Sequence, residues 1–401
     1  MFDAIVVGAR CAGSPTAMLL ARRGYRVLLL DRARFPSDTI STLVVWPHGA
    51  EILDRWGLLD GLVATGCPPV ARNMVFDIGP FALEGAVADA NRGRGGYCPR
   101  RTVLDKLLAD AAVESGAELR EEVAVEELVW HGDRVAGLRG QRHGGGSFEE
   151  RARVVIGADG VHSLVAKAVG APEYDAKPPL ATYYYSYYSG FDADDVEQYL
   201  REDEAAACFP THDGLTLIAA AWPSRRFPEV RSDIERHVRE VHEAMPGVGE
   251  RLQAARREER WVGTAGVANF FRKPYGPGWA LVGDAGYTKD PVTAYGIMDA
   301  FLSAERLTAA LIEWLSGAQP YEDAMTDYQR DRDVHARPSY ELTCDFATLA
   351  LPPPETQQLL HAVSTNAETM NEFVSMMTGT LPVPEFFAPT NVERIISAAS
   401  A

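Results

Sequence analysis

Three glycine-containing turns that follow apolar segments constrain the fold of this chain more than any other feature. The first turn, GARCAG at 8–13, follows the apolar run Ala4 to Val7 and leads into a helix-like stretch and a second apolar run that ends at Asp31. The other two turns, GADG at 157–160 and GDAG at 283–286, also follow apolar runs. Strand, tight turn, helix and strand in that order predict a β-α-β unit of the nucleotide-binding kind.

The first turn suits a pyrophosphate. A helix that begins directly after a tight turn presents free backbone N–H groups and a partial positive charge to the phosphates. An acid at the end of the second strand accepts ribose hydroxyls, and Asp31 stands there. The usual pattern G-x-G-x-x-G has glycine where this chain has Arg10, so the phosphate-binding pattern is kept only in part.

The second and third turns repeat one arrangement. Each places an aspartate beside a glycine at the end of an apolar strand, as Asp159–Gly160 and Gly283–Asp284. The glycine lets the backbone come close to a ligand, which suits a hydroxylated chain lying across the strand ends.

Length and composition narrow the class of protein. At 401 residues the chain exceeds the usual size of a single core, so we expect two or more closely associated units. With 46% hydrophobic and 24% charged residues it has the composition of a soluble globular protein. The net charge of -17 argues against nucleic acid or an anionic membrane as partner, because both would repel such a surface.

The cysteines and histidines do not form a metal-binding pattern. The five cysteines are scattered and lack C-x-x-C spacing, and no H-x-x-x-H or H-E-x-x-H motif is present, so we expect no metal site. Reduced thiols fit a cytoplasmic protein. The first residues read as a strand rather than a secretion signal, and no run is long and apolar enough to span a bilayer.

Together, these motifs resemble those of a known protein family. The chain resembles the FAD-dependent oxidoreductases of the p-hydroxybenzoate hydroxylase fold, a group that includes aromatic-ring monooxygenases, geranylgeranyl reductases and flavin halogenases. The similarity covers about 1–175 and 277–335, with the three turns in the family's order. It implies bound FAD, with NADH or NADPH as electron donor. Ala166 stands where the family usually has an arginine, which weakens the case for direct NAD(P)H binding.

The resemblance assigns the turns to separate parts of FAD. The first turn would take the pyrophosphate, Asp31 the adenosine ribose, and Gly283–Asp284 the ribityl chain. Arg101, in the segment RTVLD, matches an arginine that reaches the ribityl and phosphate region. The candidate cofactor-binding residues are Gly8, Ala12, Gly13, Asp31, Arg32, Arg101, Val123, Asp159, Gly160, Gly283, Asp284, Pro291, Gly296 and Ile297.

The segment DPVTAYGIMDA resembles the family's Pro-x-x-Gly-x-Gly segment. Pro291 would pack near the flavin, and Gly296 and Ile297 would begin a long helix whose N-terminus stabilises negative charge on the reduced ring. Ala294 replaces one family glycine, and Tyr295 stands where glutamine or glutamate is more usual.

The patterns predict an α/β protein that is α+β overall. We expect a discontinuous Rossmann-like FAD-binding domain (1–70, 100–175 and 277–335), an interleaved antiparallel-sheet substrate domain (71–99 and 176–276) and a helical C-terminal section (336–401). Within these we predict a helix over 47–62, a charged helix over 229–243 lying on the sheet, a strand over 260–270, and a solvated charged helix face over 251–260. The C-terminal section suits packing over either domain, a lid, or the interface of a homodimer.

Few side chains stand out for substrate contact or catalysis. In the segment TYYYSYYS, Tyr183, Tyr185 and Tyr187 share one face of a strand and are the candidate pocket residues, although aromatic strands also serve simple packing. His48 and Tyr295 are the weak catalytic candidates, because the family places residues near the isoalloxazine at these positions.

The resemblance leads to three functional hypotheses. The first is a monooxygenase in which a flavin hydroperoxide oxygenates a small aromatic, polyketide or isoprenoid-type substrate, of the kind met in secondary metabolism, with molecular oxygen as co-substrate. The second is a reductase or dehydrogenase of the geranylgeranyl reductase type acting on C=C bonds. The third, ranked low because both aspartate-glycine motifs are present, is a non-catalytic scaffold. The W-x-W-x-I-P signature of flavin halogenases is absent.

Overall fold

The structure is a computed structural model, and it describes residues 1–87 and 95–399. Its strands are β1 Phe2–Val7, β2 Val27–Leu30, β3 Pro69–Val70, β4 Met74–Asp77, β5 Ala82–Gly85, β6 Gly96–Tyr97, β7 Glu118–Arg120, β8 Val123–His131, β9 Arg134–Arg142, β10 Ser147–Gly157, β11 Glu173–Lys177, β12 Ala181–Ser189, β13 Glu197–Arg201, β14 Glu204–Pro210, β15 Leu215–Pro223, β16 Arg256–Arg257, β17 Val262–Thr264, β18 Asn269–Arg272, β19 Tyr275–Gly276, β20 Trp279–Leu281 and β21 Tyr287–Thr288.

Its helices are α1 Gly13–Ala21, α2 Pro47–Trp56, α3 Leu59–Ala64, α4 Arg101–Glu114, α5 Leu164–Ala168, α6 Phe227–Ser232, α7 Ile234–Glu243, α8 Val248–Ala254, α9 Gly296–Leu315, α10 Tyr321–Phe346, α11 Pro354–Ser364, α12 Ala367–Met377, α13 Val383–Phe386 and α14 Pro389–Ala399. No helix in the parts of the chain given above is long and apolar enough to cross a membrane.

The first sheet is built on parallel strands in the order β20-β10-β1-β2-β7. The central strands β1 and β2 are mostly apolar, and so is the end of β10 that pairs with β1, as expected for a sheet that is covered on both faces. Helices α1, α4 and α9 pack on one face, and the hairpin of β8 and β9 with helix α5 covers the other. The sheet confirms the predicted Rossmann-type architecture.

The second sheet has the order β16-β12-β15-β14-β13-β4-β5, with β17 also paired to β12. Its pairs are antiparallel except for β13 with β4. Val238 and Val241 of α7 pack on one face, beside Tyr184 and Tyr188. The helices after α10 pack toward the opposite face. The mixed α/β class and the helical C-terminal region are confirmed, whereas the residue bounds of the three proposed domains stay a prediction.

Several local predictions were wrong in detail. The helix expected over 47–62 breaks at Gly57, whose φ of +77° ends α2 in the left-handed conformation. The strand expected over 260–270 is two strands, β17 and β18, in different sheets. The charged run 251–260 is not one helix face, because α8 ends at Ala254. Within that run, Arg251 forms an ion pair with the buried Glu197 at 2.6 Å.

Candidate cofactor and substrate site

The three glycine-containing turns meet at one edge of the first sheet. Val7, Leu30, Gly157 and Leu281, near or at the ends of four neighbouring parallel strands, lie level with one another in the sheet register. The turns that follow these strands are therefore neighbours, although their positions in the sequence span almost 280 residues. The carboxyl edge of such a sheet is where nucleotide cofactors bind in doubly wound folds.

The first turn depends on its two glycines for steric reasons. A Cβ atom on Gly8, which has a φ of +104°, would lie 2.4 Å from the carbonyl oxygen of Ala158. A Cβ atom on Gly13 would lie 1.7 Å from the carbonyl oxygen of Gly8. Only glycine allows this turn to fold so tightly against the second turn, and helix α1 then begins at Gly13.

Arg10 occupies the missing glycine position without blocking the turn. Its guanidinium turns aside to the carboxylate of Asp105 and to the hydroxyl oxygen of Ser37, 3.0 Å away. Asp105 is fully buried and also accepts two hydrogen bonds from Arg101, at 2.9 and 3.1 Å. One carboxylate thus holds two arginines beside the turn, and its charge raises the pKa of Arg101 against the opposing effect of burial.

Asp31 is positioned by the backbone. Its two carboxylate oxygens accept hydrogen bonds from the N–H groups of Ala9, at 2.7 Å, and Ala33, at 2.8 Å. The carbonyl of Asp31 accepts the N–H of Val123 at 2.9 Å, and Val123 lines a surface groove at the ends of β7 and β8. Arg32 is exposed next to it. The candidates for the adenosine end of the cofactor therefore lie together.

Asp159 has a structural role in this arrangement. One carboxylate oxygen accepts the Ser163 hydroxyl, and the other accepts the backbone N–H groups of Leu164, at 2.7 Å, and Val165, at 3.2 Å. It thereby caps the start of α5. Gly160 has a φ of +79°, and a Cβ atom there would meet no atom within 4 Å. Gly160 therefore faces open space beside the turn, whereas both oxygens of Asp159 are already engaged.

Gly283 and Asp284 differ in their surroundings. A Cβ atom on Gly283 would lie 2.6 Å from the Cβ of Ala12, which explains why this position is glycine. Asp284 is accessible at the sheet edge. Protein on its other sides removes water and raises its pKa to about 6, Asp299 adds to the rise, and Arg101 opposes it.

The segment 291–296 forms the turn before the long helix α9. Ala294 has a φ of +55°, a conformation that favours glycine and that matches the family glycine at this position. The indole N–H of Trp46 donates to the carbonyl of Thr293 at 3.0 Å, which ties the segment 42–46 to this turn. Gly296 begins α9, and a Cβ atom on it would meet no atom within 4 Å. Ile297, the next residue, is buried.

A cavity separates this turn from the second sheet. Pro291, Val292, Phe346 and Met377 close one side of it. Its floor consists of two cross-strand rows of the second sheet, which run Leu200–Ala205–Ala221–Tyr183 and Gln198–Ala207–Ala219. The four central alanines leave the space that larger side chains would fill.

A buried hydrogen-bonded pair lies at the end of the cavity next to Pro291. The hydroxyl of Tyr183 donates to the carboxylate of Asp290, which also accepts the N–H of Val292 at 3.1 Å. Asp290 is 1% exposed, and its second carboxylate oxygen has no partner among the described residues. Burial raises the pKa of Asp290 to about 7, although the hydrogen bond from Tyr183 opposes that rise.

The other two candidate pocket tyrosines do not line this cavity to the same extent. Tyr183 is a lining residue, whereas Tyr185 and Tyr187 pack on the same face but farther along the strand. The hydroxyl of Tyr185 accepts the N–H of Ser41 at 3.3 Å. The ring of Tyr187 lies 3.8 Å from the guanidinium carbon of Arg100. The alternation of faces follows the prediction, and the structure brings only Tyr183 to the cavity wall.

The side chains of the two weak catalytic candidates, His48 and Tyr295, form contacts with other groups of the protein. His48 lies in the first turn of α2, where its Nδ1 is 3.2 Å from a carboxylate oxygen of Glu51. Tyr295 is 2% exposed and donates its hydroxyl to the backbone carbonyl of Met376 at 2.9 Å. These contacts give Tyr295 the role of a clamp between the turn before α9 and helix α12.

Sequence reasoning missed Asp105, Asp290 and Gln198. The spacing of Arg101 and Asp105, four residues apart, could have indicated their pairing on one helix face. No comparable signal marks Asp290 or Gln198, because their importance comes from contacts between distant segments. Among residues 1–87 and 95–399, no group of three or more His, Cys, Asp and Glu side chains is arranged to hold a metal ion.

Comparison with known proteins agrees with this geometry. Residues 1–342 match the model of a family described as an FAD binding domain. The digeranylgeranylglycerophospholipid reductase of Methanosarcina mazei is 27% identical over 327 residues, which cover 79% of this chain and 76% of the relative. The chain belongs to the FAD binding domain family, and it is an FAD-dependent oxidoreductase.

Two solved structures share the fold. The myxobacterial chondrochloren halogenase CndH, an FAD-dependent halogenase, aligns with a TM-score of 0.80 at 20% identity, over 99% of this chain and 96% of the halogenase. PqsL of Pseudomonas aeruginosa, described as a probable FAD-dependent monooxygenase, aligns with a TM-score of 0.71 at 19% identity, over 93% of this chain and 98% of PqsL. The shared fold therefore accommodates more than one flavin chemistry.

The residues at the sheet edge fit FAD. The tight turn at Gly8 and Gly13 brings the start of helix α1, the positive end of its dipole, to this edge, and a Cβ atom on Gly160 or Gly296 would meet no atom within 4 Å. Asp31 and Asp284 place carboxylates at two ends of this edge, where ribose and ribityl hydroxyls need acceptors. We expect these residues to hold the cofactor.

Proposed function

We propose that this protein is an FAD-dependent monooxygenase that oxygenates a small, largely apolar organic substrate. The observation that carries this proposal is the cavity between the alanine floor of the second sheet and the turn at Pro291. A substrate on this floor would lie beside the segment expected to contact the flavin ring. Bound FAD supplies the electrons and the activation of oxygen.

The chain's own residues would position the substrate and keep water out. Phe346 and Met377 cover the cavity with apolar side chains. The N-terminus of α9, starting at Gly296, points its free N–H groups toward the expected position of the ring, where they would stabilise negative charge. Tyr183 and Asp290 would hold a proton at the end of the cavity that faces this turn.

A reductase that acts on C=C bonds is the second candidate. The named activity of the Methanosarcina mazei relative favours it, and an apolar cavity also suits an isoprenoid chain. The two candidates differ in their need for oxygen. An oxygenase incorporates one atom of molecular oxygen into its product, whereas a reductase forms its product without oxygen.

We further propose NADH or NADPH as the electron donor. In the segment 159–166, Ala166 stands where the family usually carries an arginine. We therefore propose that the donor reduces the flavin without a dedicated nucleotide-binding groove. Stopped-flow reduction of the bound FAD by NADH and by NADPH, with and without substrate, measures this step. Reduction by neither, with or without substrate, would indicate a separate reductase.

The test combines labelled oxygen with a variant that fills the cavity. Aromatic, polyketide and isoprenoid candidates are incubated with reduced protein under ¹⁸O₂, and products are analysed by mass spectrometry. We expect one labelled atom in the product and its loss in Ala219→Leu, whose side chain would fill part of the floor. FAD content should stay unchanged in that variant.

Ala82→Leu is the matched control, because Ala82 is exposed on the edge strand of the same sheet. It should oxygenate as the unchanged protein does. A reduced product that forms equally well without oxygen would reject the monooxygenase and favour the reductase. Equal labelling in Ala219→Leu would place the substrate elsewhere.

A further inference from the structure

One polar side chain in the apolar cavity has no partner of its own. Gln198 is 9% exposed and lines the cavity, and its amide oxygen forms no hydrogen bond with any described residue. Buried polar atoms in folded proteins are nearly always hydrogen bonded, so such an atom calls for an explanation. A bound ligand that forms a hydrogen bond with the side-chain amide of Gln198 would be such an explanation.

The sheet register fixes the position of Gln198 relative to the expected flavin. Gln198 pairs across the strands with Ala207, Ala207 with Ala219, and Ala219 with Tyr185. Three strand spacings of about 4.8 Å each therefore separate the Gln198 strand from the strand that carries Tyr183, or about 14 Å. Tyr183 contacts Asp290 beside Pro291, the segment expected to contact the flavin, so Gln198 lies at the end of the floor away from the expected flavin.

The side chains around Gln198 select against charge. Among the described residues that line the cavity, none is Asp, Glu, Lys, Arg or His. A charged group on the substrate would enter without a counter-ion, at a large desolvation cost. Phe76, the neighbour of Gln198 on β4, adds an aromatic wall at this end.

We propose that Gln198 is the substrate anchor, and that the substrate is an elongated apolar molecule with a neutral hydroxyl group at the end far from the flavin. The hydroxyl forms a hydrogen bond with the side-chain amide of Gln198, and the apolar body lies across the four alanines. The proposal rests on the proposed function, because it takes the cavity as the place where substrate meets the cofactor.

The experiment compares two probes of nearly equal shape. The FAD-loaded full-length protein is titrated by isothermal calorimetry with 4-phenylphenol and with 4-methylbiphenyl, which differ by a hydroxyl in place of a methyl. The measured quantity is the ratio of the two dissociation constants. A site built to hydrogen bond a hydroxyl discriminates against the analogue that lacks it.

We expect Gln198→Leu to reduce the preference for 4-phenylphenol by roughly fivefold to tenfold, the effect of one neutral hydrogen bond. Gln358→Leu, the same change at an exposed position of α11, should leave the ratio unchanged. Gln198→Met keeps the length of the side chain, and it replaces Gln198→Leu in the titration if the leucine variant does not fold.

The proposal would be overturned if the ratio of the two dissociation constants were the same in the Gln198 variants and in the unchanged protein. It would also be overturned if the unchanged protein bound neither probe. Binding is measured without turnover, so the outcome is separate from the proposed function. A product that forms without oxygen, together with an intact effect of Gln198→Leu, would reject the monooxygenase and keep the anchor.

Discussion

The buried carboxylate of Asp290 should make the stability of this protein depend on pH in a way that one substitution removes. Burial raises the pKa of Asp290 from its ordinary 3.8 to about 7 in the folded chain. Between these two values the folded state keeps the proton and the unfolded state has lost it. Protonation therefore stabilises the fold fully below about pH 4, and this contribution is lost as the pH rises through 7.

The magnitude follows from the shift. A rise of about 3 units, at about 1.4 kcal/mol per unit, corresponds to roughly 4 kcal/mol between pH 4 and 8. An unfolding entropy of about 2.1 cal/mol/K per residue, over 401 residues, converts this to a change of about 5 °C in Tm. Asp290→Asn keeps an oxygen for the hydroxyl of Tyr183 and the N–H of Val292 but cannot ionise.

The assay is thermal unfolding of the FAD-loaded protein and of Asp290→Asn, from pH 5 to pH 8.5, with the two Tm curves subtracted. The subtraction removes the other titrating groups, which both proteins share. We expect the variant to gain about 3 °C over the unchanged protein as the pH rises from 5 to 8, because about two of the three pKa units of the shift lie in this range. Parallel curves over this range would refute the reasoning, because they would mean that Asp290 is ionised throughout or has no effect on folding.

Three further substitutions separate cofactor binding from stability. Gly296→Ala should leave the Tm of the FAD-free protein unchanged, since its Cβ meets no atom within 4 Å, but should weaken FAD binding about tenfold in a fluorescence titration. Tyr295→Phe should lower the free energy of unfolding in urea by about 0.5 to 1.5 kcal/mol, because one buried hydrogen bond to the carbonyl of Met376 is lost, with the rate of FAD reduction unchanged. Asp105→Ala should cost about 3 kcal/mol in the same urea assay, because two arginines lose their shared carboxylate.

The parts of the fold that could be predicted from sequence are those set by local patterns. Apolar runs followed by glycine turns identify β1, β20 and the parallel-paired end of β10, because a parallel strand segment buried on both faces is mostly apolar. The same turns led to FAD, since tight turns and helix starts are the chemistry of phosphate binding. The alternation of the tyrosines in β12 likewise predicted which of them share a face.

What could not be predicted depends on contacts between distant segments. The cavity exists because Ala205 and Ala207 lie opposite Ala221 and Ala219, and alanine in a strand carries no signal of its own. Asp290 matters because β12 brings Tyr183 against it, 107 residues away in sequence. Arg10 could be recognised as a departure from the glycine pattern, but its partner Asp105 could be found only in the folded chain.

The division between cofactor and substrate contacts suggests where substrate specificity resides. The family match ends at residue 342, and the residues expected to bind FAD all lie before that point. Two of the side chains that cover the cavity, Phe346 and Met377, lie after it. Tyr295 joins the two parts, because its hydroxyl reaches the carbonyl of Met376 from the turn before α9. A change in the C-terminal helices would therefore reshape the cover of the cavity, while the edge of the first sheet would keep its geometry.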